Sequence, residues 1–366
     1  MSPSLKATCE TEDRGEVLQP APGSTPKHKA AVVEMIPHSR TAWAHGPAPV
    51  LEIPAHGAAA LRALAPTTGA SIARDLAELF KVKVVLLVMV TGWGGFYLGS
   101  LASGVSSMQS GLLDALLGIG LVSAGAGALN EALERRTDAL MKRTANRPLA
   151  AGRMNALQGF FLGFGAVILG ALWLHLFANP LTEVLALATT FMYVAIYTPL
   201  KRVTPWATFI GAFPGAMGPL LGWTAARGRI EAPALALFAI LFVWQFPHFM
   251  SIAWLYRNDY ARAGIRMLPA VQPKGVSTVV VALLFAVLMI PVSLAPILLG
   301  MAGPLYGVLA TALGLLYLGS TVRFARILRP IGEEASRAAA RSLLKVSVLY
   351  LPLLFTTLML CASRAH

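Results

Sequence analysis

From Lys83 onward the chain alternates long apolar runs with short polar loops. Nine runs stand out, near residues 84–102, 112–130, 155–177, 181–199, 206–225, 233–256, 276–299, 303–321 and 343–362. About 20 apolar residues in a helix cross about 30 Å of hydrocarbon, so each run has the length of a span. Lipid offers no partner to a backbone N–H or C=O, so each run is predicted to be an α-helix. The loops differ in sign. Arg135, Arg136, Lys142, Arg143, Arg147 and Arg153 follow the second run, Lys201 and Arg202 the fourth, Arg257, Arg262, Arg266 and Lys274 the sixth, and Arg323 to Lys345 the eighth. The first, third and seventh runs are followed by no basic residue; Arg227 and Arg229 after the fifth are the exception. By the positive-inside rule the N-terminus and the basic loops share the cytoplasmic or matrix side. The expected fold is an all-α membrane protein of nine transmembrane helices.

Residues 1–74 show no sustained period and mix Pro, Ala and Ser with both charges, which predicts a disordered tail. The membrane domain is expected over 75–366. Near the start no apolar stretch has the length of a signal-peptide core. Glu10, Glu12, Asp13 and Glu16 argue against a mitochondrial transit peptide and favour a bacterial membrane. His28, His38, His45 and His56 are too scattered for a metal-binding tract.

Composition agrees with the pattern: 56% hydrophobic residues and 13% charged exclude an ordinary soluble domain. The net charge of +13 does not indicate nucleic acid, because the basic residues sit in loops between apolar runs, where anionic lipid headgroups are the natural partner. Cys9 and Cys361 are isolated thiols, which offer neither a disulfide framework nor zinc spacing.

Against this background two polar knots carry the candidate chemistry. Asn130, Glu134 and Asp138 are spaced i, i+4, i+8, so a helix lines their oxygens up on one face at the end of the second run. Hard oxygen ligands in such a row suit Mg²⁺, which takes one or two carboxylates plus waters and phosphate oxygens. Arg143 and Arg147 are placed to clamp the phosphates of a diphosphate held in this way. The plain alternative is a solvated helix whose charges balance one another. The second knot is Trp244, Gln245, Pro247 and His248 inside the sixth run, with Asp259 after it. Polar side chains within a span are costly and are read as functional. Pro247 is expected to open the backbone and aim Gln245 and His248 into a cavity. Tyr193 and Tyr197, followed by Lys201 and Arg202, either line that cavity or mark the interface.

Asn130-x-x-x-Glu134-x-x-x-Asp138, followed by Arg143-Thr144, Arg147-Pro148-Leu149 and Gly152-Arg153, resembles the first aspartate-rich motif of the UbiA-type intramembrane prenyltransferases. Tyr197-Thr198-Pro199-Leu200-Lys201-Arg202, Trp244-Gln245-Phe246-Pro247-His248-Phe249 and Asp259-Tyr260 through Met267-Leu268-Pro269 narrow the resemblance to the protoheme IX farnesyltransferases, or haem O synthases. It covers roughly 75 to 362. Departures are Glu134 where Asp is commoner, Phe80-Lys81-Val82-Lys83 without the usual Pro and Arg, and Gly218 in place of a second Pro. A lone Asp259, where quinone and chlorophyll relatives have more acids, points to the haem branch and puts a second metal site in doubt.

The resemblance implies nine helices around a central cavity. It also implies transfer of a farnesyl group from farnesyl diphosphate to a vinyl group of haem b, with addition of water, to give haem O. The implied site has Asn130, Glu134, Asp138 and Asp259 as Mg²⁺ ligands and catalytic residues. Arg143, Arg147, Lys201 and Arg202 are placed on the diphosphate, with His248, Gln245, Trp244, Tyr197 and Tyr193 facing haem or the cavity. It makes haem A synthase and oxidase assembly factors candidate partners. It locates the chain in the bacterial inner membrane, or alternatively the mitochondrial one, with no role for nucleic acid. Rival readings are a prenyltransferase for a quinone or chlorin precursor, a secondary transporter, and an assembly scaffold. A transporter would place its ionisable groups at mid-membrane rather than at one face.

Overall fold

A computed structural model of the protein describes residues 69–103 and 111–362. The expected tail up to residue 68, with Cys9 and the four histidines, lies outside the described residues. Helix α1 (Gly69–Leu79) already begins within the stretch expected to be tail. There follow α2 (Val82–Ala102), α3 (Leu112–Asp138), α4 (Ala156–Phe177), α5 (Pro180–Leu200), α6 (Ala207–Arg227) and α7 (Ala232–Leu255). Two short helices, α8 (Arg257–Arg262) and α9 (Leu268–Val271), precede α10 (Val276–Leu298), α11 (Pro304–Phe324) and α12 (Gly332–Leu360). The described residues hold a single isolated antiparallel bridge, Ala302 with Ala362, and are otherwise helices and loops.

Among the described residues, eight helices are long and apolar enough to cross a membrane, so this is a multi-pass membrane protein. Of the nine expected spans, the fifth does not qualify. Helix α6 is long enough, but four glycines and two prolines, Gly211, Gly215, Gly218, Gly222, Pro214 and Pro219, dilute its apolar content. The same residues explain its place in the packing. A Cβ on Gly222 would lie 1.8 Å from the carbonyl oxygen of Gly92, and one on Gly95 would lie 2.0 Å from that of Pro219. Lipid tails are as apolar as Leu, so membrane helices associate by close van der Waals approach, which small residues permit. Helices α2 and α6 therefore touch backbone to backbone.

Helices α2, α3, α5, α6 and α7 surround a cavity, while α10 and α12 pack against α7, and α11 against those two, in a continuous apolar core. Helix α1 is held differently. Leu79 is buried with Ala128, Ala132 and Leu149, and Asp75 receives bidentate bonds from Arg153 at 2.8 to 3.1 Å. This ties α1 to the loop after α3.

The close α2–α6 contact is testable. Gly222→Ala forces a methyl onto a backbone carbonyl and should destabilise the protein by about 1–3 kcal/mol. Gly165→Ala on α4, where a Cβ meets nothing within 4 Å, should be neutral or stabilising. Thermal unfolding in detergent, followed by monodispersity, distinguishes the two; equal melting temperatures would remove the close-approach account.

Candidate active site

Helix α3 carries the row the spacing predicts, and all three members line the cavity. Asn130 and Asp138 are each 1% exposed and Glu134 6%, at the end of the bundle where the loops after α3, α5 and α7 gather. Buried charges require partners, and each acceptor has a cation. Lys81 Nζ donates to Asn130 Oδ1 at 2.6 Å, Lys201 Nζ lies 2.6 Å from Glu134 Oε1, and Arg147 donates to Asp138 Oδ2 at 2.8 Å. The Asn130 amide group donates to Glu134 Oε2 at 3.1 Å and to the Thr198 hydroxyl at 3.0 Å, and that hydroxyl donates on to the Tyr193 carbonyl.

Local sequence explains how the partners arrive. The loop after α3 folds back on itself. Thr144 donates to the Asp138 carbonyl, the Leu149 N–H donates to Glu131 Oε1, and Arg147 is thereby brought over the acidic end of α3. In α5, Met192–Tyr197 form a π-helical turn, a feature often found at functional sites. Tyr193 and Tyr197 stack with ring centres 5.7 Å apart, and Lys201 Nζ sits 4.9 Å from the centre of the Tyr197 ring. Lys81 joins α1 to α2 with φ 50° and ψ 46°, and among the described residues no other non-glycine has positive φ. A left-handed residue of this type costs about 1–3 kcal/mol and is held by its surroundings. Here the turn carries the side chain into the cavity.

The two lysines differ electrostatically. Desolvation opposes the charge of Lys201, but Tyr197 and Glu134 outweigh it and hold the ammonium above the usual lysine range. Lys81 faces an amide rather than a carboxylate. Desolvation, reinforced by Arg147 and Lys201, pulls it down to about 7. Desolvation opposes the charge of Arg147 too, and Asp138 reverses it, raising that group.

The cavity measures about 490 Å³, within the usual range for a ligand site. Its charged mouth holds Lys81, Asn130, Glu134, Asp138, Arg143, Arg147 and Lys201. Its depth is walled by Val84, Val88, Ile119, Val122, Ala186 and Leu221. From Ile119 to Asp138 along α3 is about 28 Å at 1.5 Å per residue. Such a space takes a long apolar chain with an anionic head. Two carboxylates and an amide oxygen on one face fit a hard divalent cation that completes its shell with phosphate and water. Among the described residues no three His, Cys, Asp or Glu side chains cluster to hold a metal by themselves.

Several expected members stand elsewhere. Asp259 is not part of the cavity lining and pairs with Arg262 one turn on, while its neighbour Tyr260 faces the cavity. Arg202 is exposed and bonds the Thr137 hydroxyl outside the cavity. Arg143 lines the mouth, with its guanidinium 5.2 Å from the centre of the Tyr256 ring. Helix α7 runs unbroken through Pro247, so Phe249, Met250, Ile252 and Ala253 present the cavity face. Trp244 and His248 turn to α12 instead. His248 Nδ1 is 2.8 Å from Ser347 Oγ, Trp244 Nε1 donates to the Ser347 carbonyl, and the two rings stack at 4.8 Å. Gln245 donates to the Ala212 carbonyl at 2.7 Å, tying α7 to α6. These three side chains find their partners on α12 and α6 and are not among the residues that line the cavity. Lys81 is the member that motif spacing misses, since before an apolar run it looks like any topogenic lysine.

The chain matches the UbiA prenyltransferase family over residues 87–362. It is 50% identical over 292 residues to the protoheme IX farnesyltransferase of Koribacter versatilis, covering 80% of this chain and 94% of that one. It is 44% identical over 293 residues to the protein of the same name from Solibacter usitatus, covering 78% and 98%. A solved structure from work on digeranylgeranylglyceryl phosphate synthase superposes with TM-score 0.64 at 17% identity, over 79% of this chain and 97% of that one. A UbiA homologue from Archaeoglobus fulgidus, bound to GPP and Mg²⁺, does so with TM-score 0.54 at 16% identity, over 78% and 99%. The structural likeness is one of fold, and the sequence likeness extends over nearly the full length of the relatives. On these grounds the chain belongs to the UbiA prenyltransferase family.

Proposed function

We propose that this chain transfers the farnesyl group of farnesyl diphosphate to a vinyl group of haem b, with addition of water, giving haem O and diphosphate. The prenyl-diphosphate half rests on one observation: the row Asn130, Glu134 and Asp138 lies at the basic mouth of an apolar cavity. The haem half rests on the name borne by relatives at 50% and 44% identity.

Asn130, Glu134 and Asp138 would hold Mg²⁺. When bound there the ion neutralises the departing diphosphate. Lys201, Arg147 and Arg143 add fixed positive charge where negative charge develops on the leaving oxygen. Breaking the C–O bond leaves an allylic cation, and the stacked faces of Tyr193 and Tyr197 at the mouth stabilise it. The walls Val84, Val88, Ile119 and Val122 order the chain and keep bulk water from C1 until the vinyl group attacks. Water then quenches the new cation on the haem substituent. Asp259 and Arg202 have no part in this reading, and His248 serves the α7–α12 contact. The gathering of basic loops at the diphosphate end supports a location of that end on the cytoplasmic side of a bacterial plasma membrane. Haem A synthase and oxidase assembly factors are the proposed partners there.

Haems extracted from a host that lacks its own haem O activity and expresses this chain should contain a farnesyl-bearing haem. Asp138→Ala and Asn130→Ala should each reduce that product by at least about 100-fold at unchanged protein level; near wild-type product would remove the metal–diphosphate assignment. His248→Ala should leave haem use and turnover per folded enzyme unchanged and lower stability by about 1 kcal/mol through the lost Ser347 bond. Impaired haem use with farnesyl diphosphate binding intact in that variant would return His248 to the site.

A further inference from the structure

Each side chain of the α3 row has a cation of the protein on one of its oxygens: Lys81 on Asn130 Oδ1, Lys201 on Glu134 Oε1 and Arg147 on Asp138 Oδ2. The Asn130 oxygen is the one of the three with no charge of its own, and its partner comes from outside the motif, on a residue held in a left-handed turn. Counting the groups that line the cavity, Lys81, Arg143, Arg147 and Lys201 stand against Glu134 and Asp138, four basic against two acidic, so the mouth is net positive even without a charge on Lys81. A lone divalent cation entering there meets like charge and competes at each of the three side chains with an ammonium or guanidinium already paired to it. A metal–diphosphate ester carries net negative charge. It gives the displaced cations phosphate oxygens to bond, so exchange of partners leaves no buried charge unpaired.

From this geometry we propose that Lys81 is a positioning residue that holds the Asn130 oxygen until substrate arrives and then transfers its ammonium to the diphosphate, so that the protein takes up metal and prenyl diphosphate together rather than metal first. This rests on the diphosphate reading of the same site. Lys201 and Arg147 make the parallel exchange at Glu134 and Asp138. Lys81 is the informative one, because removing it leaves no carboxylate unpaired and frees a neutral amide oxygen. The two ligands are then coupled, and linkage requires each to raise the affinity of the other by the same factor.

The test uses the full chain in nanodiscs, with Mn²⁺ as the metal and the non-cleavable farnesyl thiolodiphosphate as the ester. Free Mn²⁺ is read by electron paramagnetic resonance. Wild type should bind Mn²⁺ weakly alone and at least about ten-fold more tightly with the ester, within the usual range of coupling. Lys81→Met should bind Mn²⁺ alone more tightly than wild type and bind the ester less tightly, so that the coupling shrinks toward one. Lys81→Arg, which keeps the charge, should retain most of it. Lys83→Met, two residues on and exposed outside the cavity, should match wild type and control for a non-specific loss of positive charge. Wild-type coupling in Lys81→Met overturns the proposal, as does tight binding of Mn²⁺ alone to wild type. If Lys81→Met does not fold, Lys81→Gln replaces it with the same expectations. Failure of wild type to bind the ester with Mn²⁺ overturns the underlying diphosphate reading, a result distinct from binding without coupling.

Discussion

A charge taken out of water must be paired, and in a membrane protein this constraint reaches further than usual because lipid offers no substitute partner. The α3 row places two carboxylates and an amide almost fully out of solvent. Much else at that end of the molecule follows from supplying their partners. The loop after α3 doubles back to deliver Arg147, the end of α5 delivers Lys201 and Thr198, and the turn before α2 takes an unfavourable backbone conformation to deliver Lys81. The polar network thus joins α3 to the end of α5 and to the turn before α2.

The cavity behind the network depends on a different constraint, the close approach of helices without side chains between them. Gly222 against Gly92, and Gly95 against Pro219, draw α2 and α6 together. The glycines and prolines that make α6 a poor span by composition are what make it a wall of the cavity. The π-helical turn in α5 has a related effect, since the stacked tyrosines carried by that turn face the cavity beside Lys201. The result is a space polar at one end and apolar along its length, the shape that an amphipathic diphosphate ester requires.

Polar residues within spans serve two purposes here, and the sequence does not separate them. Asn130 and Gln245 are both buried amides on long helices. One faces the cavity with a lysine on its oxygen, and the other donates to a backbone carbonyl of α6. Trp244 and His248 are conspicuous in the sequence because a ring nitrogen in lipid needs a partner. Both find it on Ser347 of α12, some 100 positions away. A costly residue in a span therefore indicates that a partner exists without indicating whether that partner is substrate or protein.

The sequence by itself determined the long apolar helices, most of their ends and the single face shared by Asn130, Glu134 and Asp138. It did not determine α1, which falls in the expected tail, or the start of α12 at Gly332, well before the expected 343. What it determined follows from local rules, namely the length of apolar runs and the period of the helix. Only the tertiary structure decided which cations meet that face. Lys81 and Lys83 are alike in sequence, yet a left-handed turn sends one into the cavity and leaves the other outside it. Likewise Asp259 pairs one turn along its own helix while Tyr260 takes the cavity position. Which way a side chain points between packed helices depends on partners remote in the chain, and no local pattern contains them.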